Sequence, residues 1–406
     1  MMDLSEMHGG DMVLHHNDKA QTGIPYPAGL GSVLDSALCD SARTAISQWP
    51  GYAPTPLVDL SEAARSLNLA SIYYKDEGPR FGLGSFKALG GAYAVLKLLG
   101  RELRSETGIP LPEDEIAQGR HADRAAGVTV VTATDGNHGR SVAWGARMFG
   151  AGCKIYMHAG VSPGRARAVE DFGAEVVWVD GNYDESVRRA AQDASANGWH
   201  IVSDTSYDGY MDLPRHVMAG YTVMVSELVG QIPTAAPPSH VFLQGGVGGL
   251  AGAVAAGLWQ HYGADRPRVV VVEPDRAPCL YRSAVQGTPV AIDIVEETVM
   301  AGLSCGEVSL LAWEVLKAGA DDFMTVSDDW VAPLMRGLAQ GARPIVAGES
   351  AVAGLAGLVA ACKSPDAAAA LGLDNSARVL VIGTEGATDP EIYESIVGHP
   401  PAEIAA

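Results

Sequence analysis

No CxxC pair occurs among the five cysteines, Cys39, Cys153, Cys279, Cys305 and Cys362. Their odd number and scatter argue against a disulfide framework and against a zinc site, so reduced thiols in a cytoplasmic chain are the expectation. No apolar run reaches the ~18 residues a membrane-spanning helix needs. The first 19 residues lack the charged start and apolar core of a signal peptide. This polar arm carries His8, His15 and His16 and reads as a disordered tail, with no metal site assigned to it or elsewhere. Basic charge is also scarce. Against 48 Asp and Glu stand 28 Lys and Arg, a net charge of −20. No basic stripe can track a phosphate backbone, which argues against nucleic-acid binding. No internal repeat is visible.

What the chain does have is length, apolar residues and glycine. At 406 residues and 47% apolar composition, it can fill more than one core, and two domains are expected. There are 48 glycines, against roughly 28 at ~7% usage. Many cluster between apolar runs, where backbone approaches a ligand. The runs 71–75 (SIYYK), 128–133 (VTVVTA), 154–158 (KIYMH), 175–179 (EVVWV), 240–243 (HVFL), 268–273 (RVVVVE) and 378–383 (RVLVIG) read as strands. Most are nearly continuous apolar, which suits parallel strands covered on both faces. Between them 86–99, 139–149, 165–172, 183–197 and 250–261 read as crossover helices, and the polar 103–124 reads as a surface insertion. The pattern is α/β of doubly wound type.

Ligands in such sheets bind beyond strand C-termini, where the next helix begins. Four turns hold that position: 132–140 (TATDGNHGR), 244–252 (QGGVGGLAG), 347–350 (AGES) and 383–389 (GTEGATD). The first offers Thr134, Asp135, Gly136, Asn137 and His138, whose groups would equally cap a helix or bind an anion. In the second, Gly245, Gly246, Val247, Gly248 and Gly249 can cradle a phosphate with backbone amides, or simply allow helix and strand to pack closely. It matches neither a GK[ST] loop nor the GxGxxG dinucleotide pattern. Upstream, Lys87 follows a glycine-rich stretch, GLGSFK, and opens an Ala/Leu-rich helix. Most lysines are surface lysines. A helix N-terminus and an apolar pocket both depress an amine's pKa, as an aldehyde-binding lysine requires.

In this order, a lysine in SFK, a GNH turn, a glycine-rich loop and a late hydroxyl residue, the chain resembles the fold-type II pyridoxal-phosphate (PLP) enzymes, tryptophan synthase β-like. The segments KDEGPRFGLGSFKALGG, TATDGNHGR, DTSYDGY, VEPDRAPCLYRS, AGLSCGE, GES and TEGATDPE narrow the resemblance to the diaminopropionate ammonia-lyase family, over residues 57–393. The implied fold is two doubly wound parallel-sheet domains with the cofactor in the cleft between them. Residues 1–50 would form an N-terminal arm and the start of the large domain, 51–90 and 220–406 the large PLP-binding domain, and 91–219 the small domain.

The resemblance also implies roles. Lys87 would bind the cofactor's aldehyde covalently and return as a general base at Cα. Asn137 would meet the ring hydroxyl, the 245–249 turn the phosphate, Thr384 the ring nitrogen, and Glu349 would lie beside the ring. A threonine cannot protonate that nitrogen, which leaves a weaker electron sink, adequate for an elimination. Asp135 would sit near substrate Cα on the face away from Lys87 and complement a β-ammonium group. Thr134, Gly136, His138, Tyr183 and Asp204 would line the substrate pocket. The implied reaction is α,β-elimination of D- or L-2,3-diaminopropionate to pyruvate and two ammonia by a homodimer. A serine/threonine or 3-hydroxyaspartate dehydratase of the same fold stands as the alternative. A non-catalytic amino-acid sensor and a nucleotide-binding oxidoreductase are the rivals from other classes. Cys279 and Cys305 read as reduced thiols, a regulatory disulfide being the other possibility.

Overall fold

The computed structural model describes residues 2–5, 7–134 and 136–404. They divide into two compact units. The first comprises Met1–Asp35, Pro54–Pro79 and Met224–Ala406, the second Ser36–Ala53 and Arg80–Val223.

The first unit holds a seven-stranded sheet. Its strands are β1 (Met12–His16), β2 (Leu57–Asp59), β3 (Ser71–Asp76), β8 (His240–Gln244), β9 (Arg268–Pro274), β10 (Asp322–Val326) and β11 (Arg378–Gly383). The second unit contributes β4 (Thr129–Ala133), β5 (Gly152–His158), β6 (Glu175–Val179) and β7 (His200–Ile201). The large sheet is ordered β1-β10-β9-β8-β11-β3-β2 and the small one β6-β5-β4-β7. All neighbours run parallel except the two edge pairs, β1 with β10 and β2 with β3. Every residue of β8 and β10 is buried, which explains why the 240–243 run lacks period-2 alternation; β10 (DFMTV) is not among the strands expected from the sequence, because Asp322 and Thr325 interrupt its apolar residues.

Three expectations change. The histidine-rich arm is not a disordered tail: Met12–His16 adds an antiparallel edge strand, and Met2 and Leu4 are buried in the core of the same unit. Backbone pairing with β10, over 300 residues away, orders it, and a local reading of polar residues cannot see that. Residues 103–124 are not all insertion. The helix that Lys87 opens runs Lys87–Thr107, burying a stripe from Ala88 to Leu103, and ends where Gly108 (φ 71°) turns left-handed. Segments 36–53 and 80–90, grouped with the large domain by sequence, lie in the second unit. There helix Ser36–Ile46 packs on Lys87–Thr107 and on Asp212–Tyr221.

Candidate active site

In the second unit, Lys87 is the first residue of its helix. A cation at that position opposes the macrodipole, and the structure supplies a counter-charge. Its Nζ is paired with the Asp204 carboxylate, which follows β7, and lies 5.4 Å from the Phe86 ring centroid. Both ionic side chains are about four-fifths buried, at 21% and 18% exposure. Burial pushes the Asp204 carboxyl up, but Lys87 and then His138 outweigh it and hold it well below the usual carboxylate range. The Lys87 carbonyl accepts the Ser141 hydroxyl (2.6 Å), and Tyr221 packs edge-on against Phe86 at 4.7 Å between centroids.

The 132–140 turn starts where β4 ends and opens helix Asn137–Phe149. Thr134 is buried; its N–H donates to the Tyr156 carbonyl (3.2 Å) and its Oγ1 accepts the Gly136 N–H (3.1 Å). Asn137 is the helix's first residue. His138 is buried and donates from Nε2 to the Val202 carbonyl at 2.8 Å. That bond fixes the tautomer and leaves Nδ1, which has no hydrogen-bond partner, 3.8 Å from Asp204 Oδ2. Burial lowers the imidazole's pKa, so it is neutral at neutral pH. Asp135 lies outside the described residues. Tyr183, at 45% exposure, is the first residue of helix Tyr183–Asn197. The structure therefore joins Lys87, His138 and Asp204 into one cluster, with Asp204 far more intimate with Lys87 than its sequence context indicated.

In the first unit, β8 runs into the 245–249 turn and then helix Gly249–Tyr262. Gly246 and Gly248 adopt φ of +60° and +95°, left-handed conformations that favour glycine. The Gly245 N–H donates to the Val272 carbonyl (2.8 Å) and the Ser309 N–H to the Val247 carbonyl (2.8 Å), so two neighbours hold the turn. A Cβ on Gly245 would meet Glu273 Cγ at 2.4 Å. This is a backbone cradle that side chains would fill, at a helix N-terminus, and it suits an anionic phosphate. Two further segments reach Gln244, which precedes the turn: the end of β11, and the segment around 347–350, which follows helix Val331–Ala339 and a loop and so does not stand at a strand end as its sequence suggested. Gln244 Nε2 donates to Ala351 O (3.0 Å) and Ile382 O (2.6 Å). Glu385 accepts the Ser350 N–H (3.1 Å), and its carbonyl accepts the Gly348 N–H (3.0 Å). Glu349 and Thr384 are buried in these two segments.

Sequence reasoning passed over Gln244 as a brace and Glu273 altogether. The signal for Glu273 was present: a single carboxylate ending a run of four valines in a buried strand. Among the described residues, no helix is long and apolar enough to cross a membrane and no cluster of three or more His, Cys, Asp or Glu could hold a metal ion.

Comparison with known proteins places the chain among relatives. The profile of the pyridoxal-phosphate dependent enzymes matches residues 48–385. Diaminopropionate ammonia-lyase of Escherichia coli (strain K12) is 40% identical over 356 residues, covering 86% of this chain and 88% of that one. The Salmonella typhimurium protein of the same name is 39% identical over 360 residues, covering 86% and 89%. A crystal structure of the E. coli enzyme, in complex with an aminoacrylate-PLP azomethine reaction intermediate, superposes with a TM-score of 0.85 at 37% identity, covering 95% of this chain and 97% of that chain.

Proposed function

Because this chain belongs to the pyridoxal-phosphate dependent enzymes and, among them, to the diaminopropionate ammonia-lyase family, we propose that it eliminates ammonia from 2,3-diaminopropionate, giving pyruvate and a second ammonia. The chain is a PLP-dependent carbon–nitrogen lyase of fold type II. The observation that carries the reading from the residues is the buried Lys87–Asp204 pair at a helix start, with the family match behind it.

Bound PLP supplies an aldehyde and a conjugated ring that accepts the electron pair left at substrate Cα. In this reading Lys87 is the covalent anchor, Asn137 meets the ring hydroxyl, Gly245, Gly246, Val247, Gly248 and Gly249 hold the phosphate, Glu349 lies beside the ring and Thr384 faces the ring nitrogen. Lys87 Nζ, once released, takes the α-proton on its own face of Cα. The Asp204 carboxylate orients that amine and balances its charge. His138 Nδ1, a lone pair beside Asp204, is placed to share a proton with it. Asp135 is proposed as the acid–base group on the opposite face, which would admit both enantiomers. Its negative charge also complements a β-ammonium group, which a hydroxyl leaving group does not call for. Thr134, Gly136 and Tyr183 complete the proposed pocket. A homodimer in the cytoplasm, with a small amino acid as its ligand, belongs to the same proposal.

The test is release of ammonia and pyruvate from D- and L-2,3-diaminopropionate beside L-serine and L-threonine. Faster turnover of the hydroxy amino acids would replace this proposal with the dehydratase. Bound PLP with no product from any of the four would replace it with a sensor.

A further inference from the structure

One acidic side chain beside the 245–249 turn has no place in the reaction above. Glu273 follows four valines near the end of β9 and is fully buried. Its Oε1 accepts the Leu280 N–H at 3.0 Å and its Oε2 accepts the Tyr281 N–H at 2.7 Å. Both donors belong to the first turn of helix Cys279–Gln286. The Cys279 thiol lies 3.6 Å from Glu273 Oε1 and 3.4 Å from the Gly246 carbonyl, so it spans carboxyl and turn. On the other side the carboxyl-bearing chain fills the space a Cβ on Gly245 would need, 2.4 Å from Glu273 Cγ. The Gly245 N–H is held by Val272, the residue before Glu273. One buried side chain thus touches the start of the turn and the start of a neighbouring helix at once.

We propose that Glu273 is the positioning residue of the phosphate turn: it locks Gly245 and Gly246 against helix Cys279–Gln286, so that the turn's N–H groups stay aimed at an anion before one binds. The inference rests on the reading that this turn holds the PLP phosphate. The electrostatics agree with it. Burial pushes the carboxyl up to about 8, and the Tyr281 and Leu280 N–H groups and the Cys279 thiol offset only part of that. Burial and then Glu273 itself push the Cys279 thiol far up, so it stays protonated. Thr325, beside Glu273 on β10, is neutral. A carboxyl that is mostly neutral at neutral pH can brace an anion site without repelling its ligand.

The readouts are the dissociation constant for PLP, from titration of cofactor-free protein followed by visible absorbance, and the ³¹P resonance of the bound phosphate. Glu273→Ala is expected to raise Kd about 10- to 100-fold, by analogy with the loss of a residue that supports a metal's ligands, and to shift the ³¹P signal. Glu273→Gln, which keeps the size and the acceptor oxygen, recovers most of the affinity. Gly245→Ala weakens binding in the parent chain but adds little on top of Glu273→Ala, because the side chain it strikes is gone. An unchanged Kd in Glu273→Ala, or simply additive losses in the double variant, overturns the inference. If Glu273→Ala does not fold, Glu273→Asp is titrated in its place, because its carboxyl is one methylene short of the Leu280 and Tyr281 N–H groups. A raised Kd supports the inference and an unchanged Kd overturns it. Gly248→Ala separates the two levels, since its φ of +95° distorts the turn whatever Glu273 does. If Gly248→Ala leaves Kd unchanged, the phosphate reading itself fails. If it weakens binding while Glu273→Ala does not, only the role of Glu273 fails.

Discussion

Asp204 closes on the Lys87 amine from 117 residues away in sequence, and His138 Nδ1 stands 3.8 Å behind the same carboxylate. A lysine at a helix start is electrostatically disfavoured as an ammonium. The buried Asp204 carboxylate offsets that by pairing with the amine, and it aims Nζ. Four expectations follow from this and from the packing around it.

Asp204→Asn removes the counter-charge and keeps the shape. The Lys87 amine should then lose its proton more readily, because a nearby opposite charge no longer favours the charged form. The pH profile for appearance of the visible absorbance band, when PLP is added to cofactor-free protein, should move to lower pH. Turnover should drop by about 10²- to 10⁴-fold, the usual worth of a positioned acid–base group. A profile that does not move would mean that the pair is geometric and not electrostatic.

His138 is neutral in the folded chain because burial lowers its pKa. An imidazole depressed in this way contributes stability above its unfolded pKa of 6.5 and loses it as pH falls below that value. Denaturant titrations of the parent and His138→Gln should therefore diverge most above pH 6.5 and converge as pH drops from there. A difference that grows with acidity contradicts the assignment.

Asp135, in the proposed reading, serves one enantiomer and Lys87 the other. Asp135→Asn should depress kcat for one enantiomer of 2,3-diaminopropionate by at least about 10²-fold more than for its mirror image. Equal losses on both would show that the two faces do not have separate bases.

The stability of the first unit hangs partly on Lys75. This lysine is fully buried in β3 and bonds Glu227 Oε2 (2.7 Å), the Thr55 carbonyl (2.8 Å) and Gln231 Oε1 (2.9 Å). Removing one partner of a buried pair strands the other charge, so Lys75→Ala should cost about 3–5 kcal/mol in urea unfolding. Lys75→Met combined with Glu227→Gln should regain much of it, since neither buried charge remains. A single-variant loss under about 1 kcal/mol would mean that water reaches Glu227 once the lysine is gone.

Much of the candidate site was legible because chemistry constrains residue types locally. A strand that must run into a ligand leaves a short glycine or Asx turn, and 132–140 and 245–249 both read that way. The strands buried on both faces were visible as unbroken apolar runs in 240–243 and 268–273. Of the edge strands Glu175–Val179 was legible, but Met12–His16, Leu57–Asp59 and His200–Ile201 were not, and neither was the buried Asp322–Val326. Met12–His16 (MVLHH) is ordered by hydrogen bonds to β10, and three apolar residues followed by two histidines carry no trace of a backbone partner 300 residues on. Glu273 was passed over for a related reason: in VVVVEP a lone carboxylate looks like the end of a strand, and only the approach of Gly245 and the Leu280 and Tyr281 amides gives it a role.

The sequence by itself determined that the chain carries a lysine before a helix, glycine turns at strand ends and an α/β pattern, because propensity, periodicity and backbone freedom are properties of neighbouring residues. Tertiary structure decided that Lys87 answers to Asp204, that His138 offers Nδ1 and not Nε2 to that carboxylate, and that Lys75 is sealed against Glu227. Each of these depends on charges brought together across long stretches of chain and stripped of water, and the strength of such a pairing comes from the burial that only the packed fold provides.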